Sequence, residues 1–192
     1  MLKQVTVVLF FSLFVSNPVL SAATESPMDN TRQLVDAMLK VKKGDEESYK
    51  MIDNYFNYDI ITSNTIAPHK DKFSGIQSKK LKTDLTQLIR IVAYPQSGTF
   101  YKESKYTYNQ PKVSGNKAIV IQKTYLPKED LELDIGYQWE NNNGKWRITD
   151  ITFDDDSIVK DYQNQFGRII SKNGVDGLLQ KLDEKLKEME NN

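Results

Sequence analysis

The fold of this chain is decided by the stretch from Tyr137 to Leu182, which reads YQWENNNGKWRITDITFDDDSIVKDYQNQFGRIISKNGVDGLLQKL. Its Asn143-Gly144 pair is a strong signal for a two-residue turn between two paired strands. Ser157 or Asp156 is expected to cap a helix, and the acids before Ser157 suit the positive end of the helix dipole. Asn173-Gly174 closes that helix, and a last amphipathic helix follows. The stretch therefore predicts the edge of a sheet that leads into two helices.

Upstream of this stretch, the hydrophobic pattern predicts helices first and strands afterwards. The clearest helix covers 79–94. Pro95 is expected to end it, and Ser97-Gly98 is expected to turn the chain. Strands are predicted over 100–109, 112–126 and 131–140, with a turn or bulge at Gly115-Asn116 in the second of them. The strand after Asn143-Gly144 is the fourth. We therefore expect an α+β domain, with helices packed on one face of a four-stranded antiparallel sheet.

The N-terminus has the pattern of a secretory signal peptide over residues 1–23. Lys3 supplies a positive start, the apolar run that follows is too short to span a bilayer, and Ser21-Ala22-Ala23 resembles a cleavage site. A membrane anchor is the alternative interpretation. The sequence contains no Cys, which excludes a lipoprotein anchor and a disulfide framework. We expect an exported protein whose single domain covers residues 24–192.

The side-chain chemistry gives no case for an enzyme, a metal or a cofactor. His69 is the only His, so a zinc site would lack enough His or Cys ligands. A Ser nucleophile would have only His69 as a possible base. No Gly-x-Ser-x-Gly motif or Gly-rich phosphate loop is present. The 26 basic and 26 acidic side chains balance, which gives no electrostatic case for a nucleic-acid partner. A pair of carboxylates that acts as acid and base stays open, because such a pair depends on the fold.

A series of short motifs in the deciding stretch resembles the MlaC family, also called toluene-tolerance auxiliary components. The matching positions are Gly144, Trp146, Asp150, the acidic turn 154–156, Ser157-Ile158-Val159, Gln165-Phe166 and Gly174-Val175-Asp176-Gly177-Leu178. The family usually has a Gly in the turn before Ser157, where this chain has three Asp residues. Trp146 and Asp150 match the pattern but are better interpreted as structural, a core aromatic and a hydrogen-bonding strand residue.

Apolar residues recur on one face of two predicted helices and one predicted strand. The residues alone do not distinguish a filled core from a cavity. The resemblance implies an apolar cavity between sheet and helices, which holds phospholipid tails and leaves the head group outside. Helical or alternating spacing then selects ten candidates for contact with lipid: Leu85, Leu88, Ile89, Val92, Leu133, Ile135, Tyr137, Trp139, Phe166 and Ile169.

The resemblance implies a periplasmic phospholipid shuttle that belongs to a system for outer-membrane lipid asymmetry. Its partners would be an outer-membrane lipoprotein complex and an inner-membrane ABC transporter with a lipid-binding ring protein. Two alternatives stay open. One is a carrier of another lipid, such as a hopanoid. The other is a small exported enzyme on a cone-shaped α+β fold that uses Asp134 or Asp150 inside its cavity.

Overall fold

The computed structural model describes residues 25–190, without the side chain of Glu190. The predicted signal peptide, 1–23, lies outside the described residues. Helices α1 to α3 are Pro27–Lys40, Glu46–Asp53 and Tyr58–Thr65, and a 3-10 helix follows at Ala67–Lys72. Helix α4 is Gly75–Leu88, a π-helical segment covers Ile89–Ala93, α5 is Tyr94–Glu103 and α6 is Ile158–Glu190. The strands are β1 Lys105–Tyr108, β2 Lys112–Ser114, β3 Lys117–Leu126, β4 Leu131–Asn142, β5 Lys145–Phe153 and β6 Asp156–Ser157.

The predicted α+β class is confirmed, but the sheet has six strands, so the predicted number of four is wrong. The strands are antiparallel in the order β1-β3-β4-β5-β6, and β2 pairs with β3. The predicted strand 112–126 is divided into β2 and β3, because the chain turns at Gly115 with a φ of +59°. The sixth strand, β6, has only two residues and forms at the tight turn before α6.

Helix 79–94 was predicted to end at Pro95, and this is wrong. The chain stays helical from Gly75 to Glu103, which includes Phe100 and Tyr101 of the predicted strand 100–109. Pro95 is tolerated because it lies in the first turn of α5, directly after the π-helical segment, where a missing N–H costs little. Gly98 lies inside α5 and not in a turn, and it is required because another helix passes close to it. A Cβ at this position would lie 2.8 Å from the carbonyl oxygen of Met38, so α5 crosses α1 at close range here.

The hairpin turn and the helix break in the deciding stretch follow the sequence prediction. Asn143 and Gly144 both have a positive φ, as a two-residue hairpin turn requires. Gly174 breaks α6 with a φ of +72°, so the last 33 helical residues form two helices as predicted. Asp154 and Asp155 also have a positive φ, where the family usually has Gly. The Asp154 side chain accepts a hydrogen bond of 2.8 Å from the Asp134 backbone N–H, which explains how Asp replaces Gly.

Helices cover one face of the sheet and enclose two groups of buried apolar residues. The first core lies between the sheet and α1, α2 and α5, with Leu34, Ile52 and Trp139 at its centre. The second core lies between α3, α4 and α6, with Leu81 and Leu178 fully buried. Phe56 and Ile89 pack against both cores. Within residues 25–190 we find no helix with the length and apolar character to cross a membrane.

Candidate functional site

An apolar pocket of about 360 Å³ lies at the junction of the two cores. Its walls come from α1, the segment from Phe56 into α3, α4, the π-helical segment, α5, the paired strands β4 and β5, and the start of α6. The apolar lining consists of Met38, Phe56, Ile61, Leu85, Ile89, Ala93, Tyr94, Phe100, Tyr101, Ile135, Ile148, Ile151, Phe153, Ile158, Val159 and Tyr162. Gln96, Ser97 and Asp150 are the polar lining residues. A pocket with this lining suits a ligand that is itself mostly apolar.

The exposed lining residues mark the side on which the pocket meets solvent, at the junction of the π-helical segment with α5 and at the end of β5. Among its lining residues, all within the described part of the chain, only Ala93, Gln96 and Phe153 are exposed. Phe153 is 42% exposed, which is unusual for so large an apolar side chain. Met38 and Tyr101, by contrast, are buried against the first core. The pocket therefore has an apolar interior and one exposed side.

The Asp150 carboxylate forms hydrogen bonds with groups at the start of α6. It accepts hydrogen bonds from the Ser157 hydroxyl at 2.5 Å and from the Val159 backbone N–H at 3.1 Å. Ser157 in turn accepts a hydrogen bond from the Lys160 backbone N–H at 2.9 Å. A negative charge at the N-terminus of a helix is stabilised by the helix dipole. The structural role that the sequence predicts for Asp150 is therefore confirmed.

A polar cluster around Asp53 joins α2, α3 and the π-helical segment beside the pocket. The Asp53 carboxylate accepts hydrogen bonds from the Arg90 guanidinium and from the Tyr94 hydroxyl, the latter at 2.8 Å. The Tyr58 and Tyr94 hydroxyls lie 2.5 Å apart. Burial is the main cause that raises the pKa of both tyrosines above the ordinary value, so both stay neutral hydrogen-bond donors. This cluster fixes the pocket wall that Tyr94 forms.

A second buried chain of hydrogen bonds fixes Tyr101 against the sheet. The Tyr101 and Tyr137 hydroxyls lie 2.5 Å apart, and Tyr137 donates to the Gln122 side chain at 3.0 Å. The Gln122 amide then donates to the Thr124 hydroxyl at 2.9 Å. Burial raises the pKa of Tyr101 to about 12. Because its polar atoms are satisfied, this chain can stay buried without exposing a free donor to the pocket.

The described residues contain no group of three or more His, Asp or Glu side chains that could hold a metal ion. Asp134, the other carboxylate named as a possible catalytic group, lies outside the lining of the apolar pocket. It binds the Lys123 amine at 2.9 and 3.0 Å instead.

A family model described as MlaC protein matches residues 32–184. The chain belongs to the MlaC family. A search of curated proteins gave no match. Among solved structures, one similar protein is a phospholipid-binding protein from Ralstonia solanacearum, solved in complex with a phospholipid. It is 17% identical with a TM-score of 0.70, and the alignment covers 86% of this chain and 99% of that one. At this identity, the likeness shows that the two proteins share a fold.

In this MlaC-family fold, three of the ten predicted lipid-contacting residues line the pocket: Leu85, Ile89 and Ile135. Leu88, Phe166 and Ile169 pack in the second core instead. Leu133, Tyr137 and Trp139 pack in the first core, where the Trp139 indole donates to the Thr31 hydroxyl at 3.1 Å. Val92 is half-buried in the π-helical segment and is not part of the lining. Periodicity identifies the apolar face of an element, but not whether that face meets side chains or empty space.

Most of the lining of this MlaC-family pocket was missed from the sequence. Tyr94, Ser97 and Tyr101 share one face of α5, but the sequence analysis placed Tyr94 at the end of the predicted helix 79–94, Ser97 in a turn and Tyr101 in a strand. The strand that follows Asn143-Gly144 carried a usable signal, because Ile148, Ile151 and Phe153 all lie in it. A second usable signal was the apolar stripe of Ile158 and Tyr162 at the start of α6.

Proposed function

We propose that this protein is a periplasmic phospholipid-binding carrier that holds acyl chains in the apolar pocket and leaves the head group outside. The observation that carries the proposal is an apolar pocket with one exposed side, in a chain of the MlaC family. The phospholipid complex of the Ralstonia solanacearum protein, which shares the fold, supports the same cargo. Gln96 and Ser97 lie where a polar head group would meet the lining.

The carrier role follows from the transfer free energy of acyl chains. Each methylene group that is removed from water gains about 0.8 kcal/mol, so a lipid does not cross an aqueous compartment unprotected. An apolar pocket gives the chain an environment similar to that of a bilayer. Exchange between a membrane and the pocket is then close to balance, and a partner protein can set its direction. No covalent step is required.

We place this carrier between two membrane complexes, on the basis of family membership. One is an outer-membrane lipoprotein complex, and the other is an inner-membrane ABC transporter with a lipid-binding ring protein. Such a shuttle would maintain the lipid asymmetry of the outer membrane. The predicted signal peptide at residues 1–23 agrees with export to the periplasm.

The alternative of an exported enzyme has less support, because both carboxylates that it would use already have hydrogen-bond or ion-pair partners. Asp150 lines the pocket, but the Ser157 hydroxyl and the Val159 N–H occupy its carboxylate. Asp134 is paired with Lys123 outside the apolar lining. A general acid or base needs a free position for a proton next to the substrate. A carrier needs none, so binding without chemistry is the simpler account of this pocket.

Ala93 offers a direct test, because it is exposed and lies at the open side of the pocket. Ala93→Trp adds a large ring at this exposed lining position, which belongs to neither core. We expect this variant to take up at least tenfold less fluorescent phospholipid from vesicles than the unchanged protein. Ala67→Trp is the matched control, since Ala67 is also exposed and lies outside the lining.

Normal uptake by a folded Ala93→Trp protein would contradict entry through this opening. Mass spectrometry of the lipid bound to the unchanged protein identifies the cargo. A hopanoid in place of a phospholipid would keep the carrier role and change its substrate.

A further inference from the structure

The π-helical segment Ile89–Ala93 is held by fewer buried side chains than the helices on either side of it. None of its five residues is buried. By contrast, Leu81 and Leu85 of α4 are fully buried, and Tyr94 at the start of α5 is 1% exposed. The last residue of the segment, Ala93, is one of the exposed lining residues at the open side of the pocket. Segments with few buried apolar contacts are the ones that open locally at a low cost in free energy.

The backbone of this segment also lacks part of the α-helical hydrogen bonding. The Tyr94 N–H donates to the Ile89 carbonyl oxygen, as a π-helix requires. Pro95 has no N–H to donate to the Ile91 carbonyl oxygen, and in an α-helix its ring would clash with that oxygen. A continuous α-helix is therefore unavailable here, and the helical path from Gly75 to Glu103 has a place at which it can bend.

The Asp53 carboxylate holds this segment from the end of the neighbouring helix α2. One carboxylate oxygen accepts hydrogen bonds from the Arg90 guanidinium, whose Nε atom lies at 2.9 Å. The other oxygen accepts from the Tyr94 hydroxyl at 2.8 Å and from the Tyr58 hydroxyl at 3.2 Å. The Asp53 and Arg90 side chains are 16% and 24% exposed, so their ion pair is better shielded from water than a surface pair. Asp53 also ends α2, where the helix dipole disfavours a negative charge that has no cation beside it.

We propose that Asp53 is a positioning residue that holds the π-helical segment closed beside the pocket opening, through Arg90 and Tyr94. The segment is then a gate. Lipid enters and leaves when these hydrogen bonds break and the segment moves away from the end of β5. Asp53 and Arg90 are not lining residues, so they act on the rate of exchange and not on contact with acyl chains. This inference rests on the proposed lipid-binding function and adds the device that controls exchange at the same site.

Asp53→Asn tests the gate, because it removes the charge and keeps the shape of the side chain. The protein is loaded with nitrobenzoxadiazole-labelled phosphatidylethanolamine, and release into excess phosphatidylcholine vesicles is followed by stopped-flow fluorescence. We expect uptake and release both to become at least about tenfold faster, because hydrogen bonds to a charged group no longer hold the closed position. The amount of lipid bound at equilibrium should change less than about threefold. Damage to the fold would instead lower that amount.

Asp183→Asn is the matched control. It breaks another ion pair between two helices, since Asp183 in α6 pairs with Lys80 in α4, and neither residue lines the pocket. We expect this variant to exchange lipid at the rate of the unchanged protein. Arg90→Gln repeats the test from the other side of the Asp53 ion pair, and it replaces Asp53→Asn where that variant does not fold.

Hydrogen exchange of the unchanged protein, measured for each amide by NMR, decides the question without any substitution. The amides of residues 89–94 should exchange at least about tenfold faster than those of residues 81–85 in the same helical path. Equal protection of the two segments would overturn the gate. A folded Asp53→Asn protein that releases lipid no faster than the control would overturn it as well. Both results leave the carrier function intact, whereas failure of the unchanged protein to bind any phospholipid would overturn the carrier and the gate together.

Discussion

Single polar side chains position the backbone on both sides of the pocket opening. Asp150 and Ser157 together satisfy backbone N–H groups at the first turn of α6. Asp154 holds the preceding turn to the Asp134 backbone in β4. The Ser157 cap is readable from sequence, because it binds a backbone N–H only three residues away. The Asp154 hydrogen bond joins residues far apart in the sequence, so it depends on the pairing of strands. The position of an apolar side chain is different, because it depends on what packs against it.

Ile135 shows how an apolar residue acquires a role from its surroundings. It is 2% exposed, lies on the inner face of β4 and lines the pocket. Ile135 also belongs to the first core, and Leu133, two residues earlier on the same face, packs against that core without lining the pocket. The alternation of β4 predicts that both point inward, but it cannot tell which of them borders the cavity.

We expect Ile135→Asp to reduce uptake of phospholipid from vesicles at least tenfold, because an unpaired carboxylate would lie against the acyl chain. The measurement is transfer of a fluorescent lipid to the folded variant, with folding checked by circular dichroism. Ile119→Asp is the control. Ile119 lies on the neighbouring strand β3, opposite Gln138, and is 39% exposed. Undiminished uptake by a folded Ile135→Asp protein would remove this residue from the binding site.

At the scale of elements, the continuous path from α4 to α5 gives the pocket its long wall. Sequence rules predicted an end at Pro95, since a Pro inside a helix removes a hydrogen bond and clashes with the preceding turn. The π-helical segment Ile89–Ala93 separates α4 from α5, so Pro95 lies near a new helix start. Helix-propensity rules consider only neighbouring residues, so they did not predict this segment. The segment also contains Arg90, whose guanidinium donates a hydrogen bond to the Asp53 carboxylate. By contrast, the hairpin, the break at Gly174 and the caps of α6 were predicted because each depends on adjacent residues.

Gly98→Ala tests whether α5 crosses α1 as closely as the structure indicates. In an ordinary helix, Gly→Ala stabilises the protein by up to about 1 kcal/mol. At Gly98 the new Cβ would lie 2.8 Å from the Met38 carbonyl oxygen, so the helices must separate. We expect the free energy of unfolding to fall by about 1–3 kcal/mol in urea titrations.

Gly75→Ala is the matched control in α4, because a Cβ there meets nothing within 4 Å. We expect its stability to stay the same or to rise slightly. A Gly98→Ala protein as stable as this control would mean that α1 and α5 pack less closely than described.

At the scale of the whole molecule, the pocket exists because two cores meet without filling the space between them. The first core is completed by the sheet, and the second is completed by α3, α4 and α6. Phe56 and Ile89 contact both, and the cluster around Asp53 ties the same junction together with hydrogen bonds. No periodic pattern in the sequence encodes such a junction, because it arises from the relative placement of distant elements. Family resemblance supplied the expectation of a cavity that the residues alone left open.

Buried tyrosines give the molecule a characteristic loss of stability in alkali. Burial raises the pKa of Tyr101 to about 12, from an ordinary value of 10.0, and it raises the pKa of Tyr137 as well. Between these values the unfolded chain releases phenolic protons that the folded chain retains. The contribution of the neutral buried tyrosines to the free energy of unfolding is therefore complete below about pH 10, and it is lost as the pH rises towards about 12.

Urea unfolding over this alkaline range measures the effect, and Tyr101→Phe should make the decline shallower. An unchanged free energy of unfolding between about pH 10 and 12 would contradict the buried, hydrogen-bonded state of these side chains.

The most direct test of the carrier account is native mass spectrometry of the intact protein, purified from its native cells. A companion measurement identifies the lipids in an organic extract of the same sample. The account predicts one bound acyl lipid on each protein molecule, and its removal by extraction should lower the mass accordingly. An empty protein that also takes up no lipid from vesicles would contradict the account, and the pocket would then be only an unfilled space between two cores.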